Sequence, residues 1–414
     1  MTGQSGPQRP DPASPLARAT GLTPADFARE HWNARPRLTR AAELPRDFTD
    51  LLTVADVDEL LGPRGLRTPY FKLVKEGKSP PEAGYTRSAV AGNRRLADLS
   101  DSAKVAERFA TGHTVVLNAL HRIHPPVADF CRALAAELGH PTQVNVYVTP
   151  PGAQGFKAHH DTHDVFVLQL DGVKHWQVFE PVVELPLASQ PSSGFPPEVI
   201  TAGEPVLDVD LHPGDALYLP RGWRHAATTA DDRSIHLTVG VLQTTWYDVL
   251  GEVMALAKDE VEFRYALPVA GADDRLGNGP DQAADVLKRA AEWLVALPPE
   301  KLVDLVAARR ARAVPVEPVP VLAQEEAARR ASPDTRVRGR RGLAMTVVER
   351  DGQAVLRLPD RELAVPGEYA DALRTATAGP AIRADGLGVD AADGVVLVRR
   401  LLREGAVLPV AEAE

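Results

Sequence analysis

One stretch, Gly155 to Phe179 (GFKAHHDTHDVFVLQLDGVKHWQVF), constrains this chain more than any other. His159, His160, Asp161 and His163 fall close together, followed by an apolar run, an Asp171-Gly172 turn signal and a second strand-like run. Asp-Gly between two apolar runs predicts a hairpin, because both residues tolerate the positive φ of a tight turn. In an extended chain alternate residues share a face. His159, Asp161 and His163 then point one way, and His160 and Thr162 the other. A two-residue turn pairs Leu170 with Val173 and Gln169 with Lys174. With the strand unbroken from His159, Lys174 joins the face of His159 and Asp161. A pair of metal-binding side chains and a cation would look into one cavity.

At 414 residues the chain exceeds one ordinary core, so two or three domains are expected. Its net charge of −9 argues against a general nucleic-acid scaffold, and direct DNA binding is not expected. The single cysteine, Cys131, excludes an intramolecular disulfide and a cysteine-based metal site, and fits a reducing cytoplasm. It falls in the amphipathic helix VADFCRALAAELGH, as a small apolar residue. No apolar run approaches the roughly 20 residues of a membrane span. Met1 to Gly21 is rich in Pro, Gly and Ser, lacks the apolar core of a signal peptide, and reads as a disordered tail.

From residue 22 the chain reads as one domain to 244. Segments 66–74, 113–120 and 143–151 look like strands, and VLDVDLHPGDALYLPRGWRHAATT with SIHLTVGVLQ gives three more, turning at Pro213-Gly214 and Arg221-Gly222. Short strands with Gly/Pro corners suggest a barrel or sandwich. From Thr245 the apolar period becomes helical, giving a helical block over 245–312. Residues 313–334, rich in Ala, Pro and Glu, read as a linker or extended arm. The remainder, 335–414, reads as short strands, a helix at YADALRTA and a final amphipathic helix VVLVRRLLREGAVLP, the size of a small winged-helix-like unit.

Imidazole nitrogen with carboxylate oxygen suits Fe(II), Zn(II) or Mn(II), and two His with one carboxylate leave a coordination face open. His-x-Asp alone is weak evidence. The third ligand must come from elsewhere, and His225, in PGDALYLPRGWRH, is the best candidate because a barrel would bring its strand alongside. The remaining histidines, His236 among them, read as structural or solvated. Lys174, a mid-strand lysine turned to the metal side, needs an anion, which a dicarboxylate cosubstrate would supply. Asn145 and Tyr147 alternate on one face of QVNVYVTPP, where they either donate to that anion or are satisfied internally.

NVYVTPPGAQGFKAHHDTHDVFVLQLDGVKHWQVF, with PGDALYLPRGWRHAA and SIHLTVGV, resembles the JmjC-type ribosomal oxygenases of the cupin superfamily. The motifs cover roughly residues 25–245. The resemblance implies an α+β chain: a double-stranded β-helix (jelly roll), a helical dimerisation block and a winged-helix-like C-terminal domain. It implies an Fe(II)- and 2-oxoglutarate-dependent protein hydroxylase using dioxygen. The iron triad would be His159, Asp161 and His225. Lys174 would hold the far carboxylate of 2-oxoglutarate, with Asn145, Tyr147 and Thr238 lining the cosubstrate pocket. The implied substrate is a large-subunit ribosomal protein, arginine being the leading target and histidine the other, and the implied assembly is a homodimer. Two other readings stand beside it: a 2-oxoglutarate oxygenase or other metal cupin acting on a different peptide or a small molecule, and a ligand-sensing regulator whose C-terminal domain binds DNA. The second draws on the arginines at 336, 338, 340 and 341.

Overall fold

The computed structural model describes residues 11–266 and 280–410, and the chain divides into two compact units, one as far as Gln243 and one from Thr244.

The first unit opens with α1 (Pro15–Thr20), which corrects the reading of Met1–Gly21 as a disordered tail; its first ten residues lie outside the described ones. The residues that suggest disorder are helix punctuation here. The Ser14 hydroxyl caps the N-terminus, Pro15 takes the first turn and Gly21, at φ +66°, closes the helix. Leu16 and Ala19 are buried, and Glu137 accepts from the Leu16 amide. Helices α2 (Pro24–Glu30), α3 (Val54–Leu61), α4 (Ser102–Ala110), α5 (Pro125–Leu138) and the short α6 (Pro197–Ile200) complete this unit's helices.

Its strands are β1 (Arg37–Thr39), β2 (Phe71–Val74), β3 (Thr86–Ala91), β4 (Arg94–Ser100), β5 (Thr114–Leu117), β6 (Thr142–Thr149), β7 (Asp164–Asp171), β8 (Lys174–Phe179), β9 (Leu207–Leu211), β10 (Ala216–Leu219), β11 (Arg224–Thr229) and β12 (Ser234–Val241). The segment from Val206 to Leu242 therefore yields four strands, where three were expected. One antiparallel sheet runs β1-β10-β7-β12-β6-β5-β2 and a smaller one β11-β8-β9, while β3 and β4 form a separate ribbon.

The expected hairpin does not form. β7 pairs with β10 and β12, and β8 with β11 and β9, so Leu170 and Gln169 do not face Val173 and Lys174. Asp171-Gly172 does turn sharply, with Gly172 at φ +63°, but it carries the chain from one sheet to the other. Local sequence specifies the turn, whereas strand partners are chosen by burial. β7 has apolar neighbours on both faces: Phe166 and Leu168 belong to the helix-covered core, Val165 and Val167 to the core shared with Trp176 and Val178 of β8. That double burial accounts for its continuous apolar run.

The second unit holds α7 (Trp246–Ala255), α8 (Pro280–Ala296) and α9 (Pro299–Ala313); the part of the expected helical block at 267–279 lies outside the described residues. Residues 313–334 are not the expected linker throughout, since α10 spans Val321–Arg329. Its buried residues are Gln324 and Ala328, and the Gln324 amide donates to Leu402 O (2.7 Å) and Val407 O (2.8 Å). A glutamine and an alanine form the contact, so no apolar period announces it. Beyond lie β13 (Arg336–Gly339), β14 (Thr346–Arg350), β15 (Gln353–Arg357), β16 (Glu362–Pro366), α11 (Ala370–Thr377), β17 (Ile382–Arg383), α12 (Ala391–Arg403) and β18 (Val407–Pro409), in sheets β17-β13-β18 and β14-β15-β16. The expected final helix thus stops at Arg403, closed by Gly405 at φ +65°, and Val407–Pro409 returns as a strand beside β13. Of the arginine cluster, Arg338 pairs with Glu317 and Arg340 donates to Glu317 O, so part of it serves this unit's own packing.

Candidate metal centre

A cavity of about 290 Å³ lies between the two sheets of the first unit. Asn145, Tyr147 and Thr149 of β6, Val165 and Val167 of β7, and His236 and Thr238 of β12 line it from the large sheet. Lys174 and Trp176 of β8, with His225 and Ala227 of β11, line it from the small one. On β6 the intervening Val144, Val146 and Val148 are buried in the helix-covered core, as the two-residue period requires.

All seven residues singled out in the sequence reach this cavity. His159 precedes β7 and forms an isolated antiparallel bridge with His225, its amide donating to His225 O (3.1 Å) and its carbonyl accepting from the His225 amide (2.8 Å). The Gly222 amide donates to Asp161 O (3.0 Å), tying the second loop to the first. The strand is not continuous from His159, because β7 begins at Asp164. His163 therefore leaves the expected face and packs under Gly240, where a Cβ would meet its ring at 2.7 Å. His160 is buried, its Nε2 bonded to Gln190 O (3.2 Å).

Nε2 of His159 lies 3.9 Å from Asp161 Oδ1, and Nε2 of His225 lies 3.8 Å from Asp161 Oδ2. The three donor atoms fall within 4.8 Å of one another. Those separations are too long for hydrogen bonds. They are near the spacing of ligands about 2.0–2.2 Å from a shared ion. Nδ1 of His159 is 2.8 Å from Lys157 O and Nδ1 of His225 is 3.1 Å from Trp223 O. A carbonyl only accepts, so each ring carries its proton on Nδ1 and turns the Nε2 lone pair toward the carboxylate. Burial raises the Asp161 carboxyl, but the imidazoles of His225, His159, His163 and His160 outweigh it and leave it below the usual range. Burial, reinforced by His159, lowers His225 to about 4. An ionised Asp161 and a neutral His225 are the states a divalent transition metal needs, and with the free Nε2 of His159 turned the same way the donor set fits one.

Lys174 is buried, and its ammonium donates to Thr149 Oγ1 (2.9 Å); desolvation lowers it to about 7. His236 was expected to be structural or solvated. It is instead a buried wall of the cavity, stacked on Tyr147 (5.0 Å, 11°) and pushed well below its ordinary value by burial and by the Lys174 charge. Burial and the Asp161 charge raise Tyr147, which stays a phenol. Asn145 Oδ1 accepts from the Ala119 amide (3.0 Å), and Thr238 lies opposite Asn145 in the β12–β6 ladder. Thr149, His236, Trp176 and Lys72 are cavity residues that sequence reasoning missed. Continuing the two-residue period from Asn145 and Tyr147 reaches Thr149, and stepping back from Thr238 reaches His236.

Residues 119–249 match the JmjC domain family. The chain is 32% identical over 260 residues to Ribosomal oxygenase 1 of Gallus gallus, covering 59% of this chain and 40% of that protein. It is 42% identical over 260 residues to the Danio rerio protein of the same name, covering 59% and 44%. It is 38% identical over 172 residues to the "Bifunctional lysine-specific demethylase and histidyl-hydroxylase NO66" of Dictyostelium discoideum, covering 40% of this chain and 33% of that protein. The chain thus spans about two fifths of the length of Ribosomal oxygenase 1. Among solved structures, the Escherichia coli ribosomal oxygenase YcfD in complex with cobalt and 2-oxoglutarate matches with a TM-score of 0.55 at 17% identity, over 95% of this chain and 99% of that one. Fold and sequence agree: residues 119–249 form a JmjC domain, and the chain is similar to ribosomal oxygenases in the sequence around that domain and in overall fold.

Proposed function

We propose that the chain is an Fe(II)- and 2-oxoglutarate-dependent dioxygenase that hydroxylates a side chain of a ribosomal protein. The observation that carries this reading is the convergence of the His159, Asp161 and His225 donors with the buried Lys174 in one cavity. A buried ammonium with only a hydroxyl partner is costly unless an anion joins it. The far carboxylate of 2-oxoglutarate is such an anion, and its other end would then lie toward His159, Asp161 and His225. The bound iron supplies the oxidising chemistry, in which 2-oxoglutarate and dioxygen become succinate, carbon dioxide and one inserted oxygen atom. The chain's residues do the rest. His159, Asp161 and His225 fix the ion, Lys174 with Thr149 orients the cosubstrate, and Trp176, Val165 and Val167 exclude water from that end. Asn145, Tyr147 and Thr238 present polar groups to the same space.

The resemblance puts arginine first as target, with histidine the other. The cavity favours the neutral imidazole, since Asp161 is the one carboxylate among its lining residues and Lys72 adds a second ammonium. The relative from Dictyostelium discoideum carries both histidyl-hydroxylase and lysine-specific demethylase in its name, which supports histidine over arginine. We further assign the chain a homodimer, because Trp246, Leu250 and Met254 leave an exposed apolar stripe along α7. The C-terminal residues from 335 are read as a winged-helix-like domain.

The test is mass spectrometry of ribosomal proteins from cells with the gene, without it, and carrying His159→Ala. A one-oxygen mass increase seen only with the intact gene supports the hydroxylase, and loss of a methyl group instead indicates demethylation. Identical spectra in all three strains overturn the ribosomal assignment. Consumption of 2-oxoglutarate by the purified chain separates an oxygenase from a non-oxidative cupin or a sensor.

A further inference from the structure

Lys72 has no part in the triad or in the Lys174 contact, yet it shares their cavity. It sits on β2 between Phe71 and Leu73, both fully buried in the helix-covered core, so the strand period turns its side chain the other way. Its ammonium lies 5.6 Å over the ring of Phe156. Phe156 in turn sits 6.1 Å from the His159 ring and edge-on to Tyr147 at 5.7 Å. Lys72 is therefore one aromatic ring away from a metal ligand.

Among the described residues no carboxylate lies within ion-pairing distance of Lys72. An aromatic face attracts an ammonium through its quadrupole but does not cancel its charge. With a divalent ion, a dianionic cosubstrate, Asp161 and Lys174 formally cancelling, Lys72 leaves the cavity positive. A protonated side chain entering it would meet repulsion that a low-dielectric wall strengthens.

We propose that Lys72 sets the charge selectivity of the cavity, turning away guanidinium and ammonium groups and admitting neutral side chains. This rests on the dioxygenase reading and names the residue that restricts its substrate class. The test uses the full chain with Mn(II) and 2-oxoglutarate, without oxygen. Methylguanidinium serves as the cationic probe and acetamide as the neutral one. The paramagnetic relaxation of each methyl group reports how closely and how often it visits the metal. In the wild type, acetamide should relax at least about fivefold faster than methylguanidinium. Lys72→Glu should raise the methylguanidinium rate about fivefold or more and leave acetamide within about twofold. Lys72→Met should fall between, and Lys72→Arg should match the wild type. A probe ratio unmoved by Lys72→Glu and Lys72→Met, with Mn(II) still held, overturns the role of Lys72 alone. If water-proton relaxation shows no Mn(II) held, or Mn(II) held equally by His159→Ala, the dioxygenase reading falls and this inference with it.

Discussion

Lys174 is the residue at which burial bears most directly on the proposed function. Desolvation brings its ammonium to about 7, against about 10.4 in an unfolded chain. Below about pH 7 the folded chain bears the full cost of a buried charge. Between about 7 and 10 the unfolded chain holds a proton that the folded one has released, so stability of the ligand-free protein should rise with pH over that window. Binding of 2-oxoglutarate should run the opposite way, since only the protonated lysine receives a carboxylate. Its affinity should fall up to about tenfold per pH unit above about 7, with proton uptake seen by calorimetry in buffers of different ionisation enthalpy. Lys174→Met should weaken 2-oxoglutarate by at least about tenfold, by equilibrium binding, while the chain still takes up Mn(II). The metal ligands make a separate prediction. A divalent ion at about one hundred times its dissociation constant should stabilise the fold by about 2.7 kcal/mol in denaturant titration. His159→Ala should abolish that gain.

Individual elements show where sequence reasoning succeeds and where it stops. Asp171-Gly172 announces a turn and makes one, but nothing local says whether the next strand folds back or leaves for another sheet. Gly172 is required by more than its dihedral angle, because a Cβ there would lie 1.8 Å from Arg233 O. Gly172→Ala should therefore cost about 3 kcal/mol or more in urea unfolding, unlike Gly194→Ala, where a Cβ meets nothing within 4 Å. The convergence of His159, Asp161 and His225 was legible because the resemblance joins the His-x-Asp pair, weak by itself, to a distant histidine. His236 and Lys72 were not, since a single polar residue in a strand says nothing of which cavity its face borders until the sheet is assembled. Helices α1 and α10 escaped for opposite reasons. In α1 the capping residues imitate disorder, and in α10 the buried residues, a glutamine and an alanine, mark no apolar period. Gln324→Ala should loosen α10 by about 1–3 kcal/mol, read as faster proteolysis near Val321.

For the molecule as a whole, Trp246, Leu250 and Met254 stand exposed at helical spacing along α7 and offer one apolar face to a second copy. Light scattering should show a dimer, and Trp246→Glu with Leu250→Glu should convert it to a monomer that still binds 2-oxoglutarate. Among the described residues no helix is long and apolar enough to cross a membrane. The order of strands in the large sheet carries one more consequence. β12 sits between β6 and β7, so the two walls that carry Asn145 and Val165 have no common partner until residues 234–241 exist. During synthesis His159 and Asp161 emerge long before His225 and the strand that closes the sheet around them. Such distant pairings are slow to form. A nascent chain would hold two loose ligands and no centre, so iron should be captured only after the whole first unit has left the ribosome and closed.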